Sequence, residues 1–124
     1  MGKGLISTVE EITNSWTADL PSSESQEMLM AVKDQIEKDF GLMGFTFCQD
    51  FYPTLESMIP ELLNCIEILQ TQHNSTWMKV VYRVDLTEKQ YRFVKNMGGN
   101  TPENMSKAVL LREFQKVYTR KHIA

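Results

Sequence analysis

A histidine-based metal site or catalytic dyad in this chain would have to use His73 or His122, and a thiol nucleophile Cys48 or Cys65. His73 lies in Thr71-Gln72-His73-Asn74-Ser75, a polar stretch that reads as a helix end, where an imidazole complements the last carbonyls. His122 falls at the end of the sequence, where fraying is expected. Cys48 and Cys65 stand in apolar stretches and are expected as buried free thiols, inert because a reactive thiolate needs positive charge nearby. The chain has no Gly-x-Gly-x-x-Gly, no phosphate loop, no Cys-x-x-Cys and no His-Glu-x-x-His. No catalytic residue, cofactor-binding residue, cofactor or metal ligand is assigned, and an enzyme is not the expected class.

Two constellations remain. Tyr82, Asp85 and Tyr91, with Arg83, Thr87 and Glu88 between them, could form a small polar site at a helix junction. The simpler expectation is that Asp85 and Glu88 stabilise the start of the next helix, Arg83 pairs locally and Tyr82 is a core tyrosine. The second is a basic stripe. Arg112, Lys116 and Arg120 recur every four residues on the face opposite Leu110, Phe114 and Val117, and form a candidate interaction surface. Three phosphate contacts from such a stripe would give a salt slope of about −2.7 on duplex DNA. Against nucleic acid stands a chain pI near 5.4, where DNA-binding domains usually exceed about 9.

Charge is unevenly spread along the sequence. Residues 1–41 carry three lysines against eight carboxylates, a net of −5. Residues 42–104 come to −2, and residues 105–124 to +4. A solvated basic face, or one docked on the acidic helix of residues 24–39 within one subunit or between two, therefore outweighs a nucleic-acid surface. Met30 and Val109 fall on polar faces, and clustered apolar residues of that kind mark adaptable interfaces.

The elements that would position these residues read as helices. Leu5, Ile6, Val9, Ile12 and Trp16 form one stripe, ended by Leu20-Pro21. Ser23 and Gln26 fit a capping box ahead of the Met28, Leu29, Val32, Ile36 and Phe40 face. Residues 42–53 read as an aromatic loop with one helical turn, anchored by Phe45, Phe47 and Phe51. Residues 54–72 look like the central helix, with Pro60 placed in a first turn after an N-cap at Ser57. Residues 77–86 are ambiguous. Met78, Val80, Tyr82, Val84 and Leu86 make a strand face; Trp77, Val80, Val81 and Val84 make an equally clean helical stripe. Helix is preferred, because the only partner strand would be 45–48 and an isolated hairpin is marginal. Thr87 and Gln90 form a capping box, with Leu86 and Tyr91 as hydrophobic staple. Gly98-Gly99 stops that helix, and Thr101-Pro102 starts one running to about Lys121.

The fold class is therefore all-α, with five to six helices around one core in a single domain spanning 1–124. The alternative is a mostly α chain with a short β-hairpin from residues 45–48 and 78–86. The composition, 42% hydrophobic and 23% charged, is that of an ordinary globular protein. No apolar run spans a bilayer and the first twenty residues lack a signal-peptide pattern, so the cytoplasm is expected. The functional expectation is a small soluble, non-enzymatic protein acting through protein–protein contact or self-association, with a homodimer among its forms. The alternatives are nucleic-acid or acidic-surface binding through Arg112, Lys116 and Arg120, and a small-ligand or enzyme site near Tyr82, Asp85 and Tyr91.

Overall fold

The computed structural model describes residues 22–96, 98, 99 and 101–123, with side chains from residue 26 to residue 120 apart from 97 and 100. The expected helix through Leu5 and Trp16, and the side chain of the Ser23 cap, lie outside the described residues. Five α-helices appear among those described: α1 Ser22–Asp39, α2 Ile59–Gln72, α3 Asn74–Val84, α4 Glu88–Lys95 and α5 Thr101–Ile123. Two single 3-10 turns, Gly41–Met43 and Glu56–Met58, sit in the long connection between α1 and α2. There is no strand among the described residues.

The ambiguous segment 77–86 is helical, and burial shows why. Trp77, Val80, Val81 and Val84 all face the core, while Met78 and Tyr82 are exposed. A strand would have put Val80 and Tyr82 on the same face; a helix separates them and keeps every β-branched residue buried. The helix ends at Asp85, which takes the left-handed conformation, φ 72°. Its amide donates to Tyr82 O, and the Leu86 amide reaches back to Val81 O, the two bonds of a Schellman cap. Next, Thr87 and Gln90 form the expected reciprocal capping box, each backbone amide bonded to the other side chain at 3.0 Å. Leu86 and Tyr91 both pack against the core.

Helix α2 begins later than residue 54. Pro60 lies in its first turn, as the missing N–H requires. The cap differs from expectation: Thr54 and Ser57 bond each other's amides across the preceding 3-10 turn, so Ser57 closes that turn rather than opening the helix. The aromatic connection also differs. Phe45 packs on Phe40 and Phe47, and Phe47 on Tyr52, with centroids 4.9 to 5.8 Å apart. Tyr52 is buried and Phe51 is half exposed, so Tyr52 is the anchor that Phe51 was expected to be. Two carboxylates pin this loop from the flanking helices. Glu37 of α1 accepts the Phe47 amide, and Glu61 of α2 accepts the Cys48 amide and the Tyr52 hydroxyl.

The central element is α5, not the segment 54–72. It packs against α1, α2, α3 and α4. From Met105 to Val117 it buries Met105, Ser106, Ala108, Val109, Leu110, Leu111, Glu113, Phe114 and Val117, covering most of its circumference. Val109, which the wheel places on the polar side, is fully buried. A helix wrapped by neighbours has no free polar face, so the polar residues there must find partners inside the protein.

Candidate functional site

The basic stripe of α5 divides. Lys116 Nζ lies 2.7 Å from Asp39 Oδ2 at the end of α1 and 2.8 Å from Glu113 Oε1, one turn back on its own helix. It also donates to the carbonyls of Arg83 and Val84, in the last turn of α3. Lys116 therefore clamps the C-terminal ends of two helices, where uncapped carbonyls and the helix dipoles favour a cation. Arg112 grips the Schellman cap that follows: its Nη2 bonds Asp85 Oδ2 at 2.8 Å and its Nε bonds the Asp85 carbonyl at 3.0 Å. Only Arg120 of the three is exposed. Asp34, in the acidic helix α1, is exposed, and it is Asp39 that meets the basic helix.

Glu113 is the residue this clamp makes unusual. It is fully buried, wedged between the Asp39 carboxylate and the Lys116 ammonium. Burial, with the Asp39 carboxylate adding to it, pushes the Glu113 carboxyl up to about 9, so it carries a proton at neutral pH. Burial also acts to raise Asp39, but hydrogen bonds from Glu113 and Lys116 and the Lys116 charge outweigh it and hold Asp39 below the ordinary value. For Lys116 burial acts to lower the pKa, and the two carboxyls outweigh it. One anion, one cation and one neutral acid leave the cluster without net charge in a low-dielectric setting. Sequence reasoning assigned Glu113 no role beyond its single negative sign among the five cations of residues 105–124. Its place one turn before Lys116, on a helix with Val109 and Leu110, is the signal that was there.

Tyr82, Asp85 and Tyr91 do not converge. Tyr82 is 85% exposed, which overturns its expected place in the core. Asp85 turns to Arg112, and the Tyr91 hydroxyl accepts a hydrogen bond from Trp77 Nε1 at 3.4 Å. His73 caps α2 through its backbone, with its amide on Leu69 O. Both cysteines are free; Cys65 is buried as expected, but Cys48 is exposed. Glu61 beside it pushes the Cys48 thiol up, and burial pushes the Cys65 thiol up to about 11. Both shifts run opposite to what a nucleophilic thiolate needs. Among the described residues no group of three or more His, Cys, Asp or Glu is placed to hold a metal, and no helix is long and apolar enough to cross a membrane.

The face that stands out is apolar. Leu42, Met78 and Tyr82 are 48, 42 and 85% exposed, and they line one open hollow of about 400 Å³ with Lys79 and Arg83. Met78 and Tyr82 are one turn apart on α3, and Leu42 reaches them from the 3-10 turn after α1. No family model, no curated protein and no solved structure matches this chain. What the described residues define is an all-α fold with a charge-clamped core and an apolar face bordered by cations.

Proposed function

We propose that this protein acts by protein–protein contact, without catalysis of its own, through the face made by Leu42, Met78 and Tyr82. The observation that carries this reading is the convergence of three large, exposed apolar side chains in one hollow. Single exposed apolar residues are ordinary, but a cluster leaves apolar area in water that a partner would remove. Tyrosine, methionine and arginine are enriched at interfaces for the same reason: each couples a broad contact area to a polar or adaptable tip. The stripe of Arg112, Lys116 and Arg120 supports a nucleic-acid surface poorly, since two of its three cations are occupied inside the molecule.

The test compares Tyr82→Ala with Phe51→Ala, which removes a half-exposed aromatic side chain outside the hollow. Sedimentation across micromolar to millimolar concentrations and affinity capture read association with itself and with other proteins. The expected result is an association lost in Tyr82→Ala and kept in Phe51→Ala. A chain that neither self-associates nor retains a protein, or that does so equally in both variants, overturns the reading.

A further inference from the structure

The geometry points to an acidic amphipathic helix of another protein as the occupant of the Leu42–Met78–Tyr82 hollow. This rests on the contact reading above and names the partner's chemistry. The argument is charge complementarity. Lys79 and Arg83 stand one turn apart beside Met78 and Tyr82, and both line the hollow. Both side chains are exposed, and neither forms an ion pair with any described residue. By contrast Arg112 and Lys116 are paired with carboxylates. The exposed face of α3 from Ser75 to Arg83 bears these two cations and no acid. Among the described residues the hollow is thus an apolar floor with unpaired positive charge along one side.

A second copy of the chain fits this face badly. In a two-fold contact the same patch meets itself, so Lys79 and Arg83 would face their own equivalents. Like charges brought together at an interface cost affinity and slow encounter. A helix with apolar residues one turn apart, bordered by glutamates or aspartates, answers both features at once: its stripe covers Leu42, Met78 and Tyr82, and its carboxylates reach Lys79 and Arg83. An apolar stripe laid in a groove is an established mode of helix recognition, with charge setting orientation and on-rate.

The test uses three fluorescein-labelled 18-residue helical peptides that share one leucine and phenylalanine stripe and carry glutamate, glutamine or lysine at the polar positions. Anisotropy titrations are run against the whole chain at low and high salt. The glutamate peptide is expected to bind about tenfold more tightly than the glutamine peptide at 50 mM salt, with the gap closing at 500 mM as screening shortens the reach of the charges. The double variant Lys79→Glu, Arg83→Glu should transfer the preference to the lysine peptide. Tyr82→Ala should weaken glutamate and glutamine peptides alike. All three substituted residues are exposed, and circular dichroism checks that each variant keeps its helices. Equal binding of the glutamate and glutamine peptides, still lost in Tyr82→Ala, overturns the acidic partner and leaves the face standing. Binding of no peptide, with Tyr82→Ala indistinguishable from the parent in sedimentation and capture, overturns both. Self-association abolished by Tyr82→Ala and competing with the peptide overturns the acidic partner in favour of a second copy.

Discussion

Lys116 Nζ lies 2.7 Å from Asp39 Oδ2, joining the body of α5 to the end of α1, 77 positions away in sequence. The contact ties the last turn of α1 to α5, and through the carbonyls of Arg83 and Val84 it ties in α3 as well. Removing the ammonium leaves Asp39 as a largely buried anion beside Glu113. Lys116→Met should therefore cost on the order of 2–3 kcal/mol in urea unfolding at pH 7, because it leaves a largely buried anion without its countercharge. Adding Asp39→Asn to Lys116→Met should recover part of the loss, a coupling that a double-mutant cycle reads directly.

Glu113 should make stability fall as pH rises. Its carboxyl has an ordinary value of 4.5 when unfolded and about 9 when folded. Below 4.5 both states hold the proton and the residue has no effect. Between 4.5 and 9 only the folded state holds it, so the unfolded state is favoured by about 1.4 kcal/mol for each pH unit in that window. Asp39 acts in the opposite sense: its lowered pKa stabilises the fold above about pH 4, and that contribution fades as pH falls through its folded value. Glu113→Gln should flatten the decline between pH 5 and 9 and be more stable than the parent at pH 8. Urea midpoints measured at unit pH steps check this; parallel profiles for parent and variant would contradict it.

Asp85 adopts φ 72° at the end of α3, a conformation that favours glycine. Asp85→Ala keeps the backbone cost and loses the carboxylate contact to Arg112. Asp85→Gly relieves the backbone and loses the same contact. The glycine variant should accordingly be more stable than the alanine variant by about 1 kcal/mol, read from thermal or urea melts.

The Cys48 thiol is held up by the Glu61 carboxylate, which also accepts the Cys48 amide. In Glu61→Gln that negative charge is gone, and alkylation of Cys48 by iodoacetamide should reach half-maximal rate at lower pH than in the parent. Cys65 should stay unmodified in both while the protein is folded, since it is buried with its thiol pushed up to about 11. Mass spectrometry of timed reactions distinguishes the two cysteines.

Thr87 and Gln90 cap a helix of only eight residues. Thr87→Ala should cost about 1 kcal/mol and speed amide exchange in the first turn of α4 before any other helix responds.

Local chemistry made several of these elements legible. The Thr87–Gln90 box, the start at Pro60 and the stripe of Trp77, Val80, Val81 and Val84 depend on neighbours within one or two turns, and a sequence displays those neighbours directly. Phe51 and Tyr52 show the limit. Adjacent aromatics are equivalent in pattern, and the choice fell to Tyr52 because its hydroxyl can donate to Glu61, nine positions further along. The pair at Tyr82 shows it again. A tyrosine among valines reads as core until the helix places it opposite Val80 and Val84, out in solvent.

What the sequence by itself determined is the predominance of helix and most of the helix boundaries and apolar faces, consequences of periodicity and capping. Tertiary structure alone decided which helix lies at the centre and what its charges do. Arg112, Glu113 and Lys116 occupy one turn of α5, and their signs say nothing about their surroundings. Only the ends of α1 and α3, brought together by packing, place an anion and open carbonyls beside the lysine and deny the glutamate its water. A charge on a helix is set by spacing; its partner and its protonation are set by distant chain that the fold carries to it.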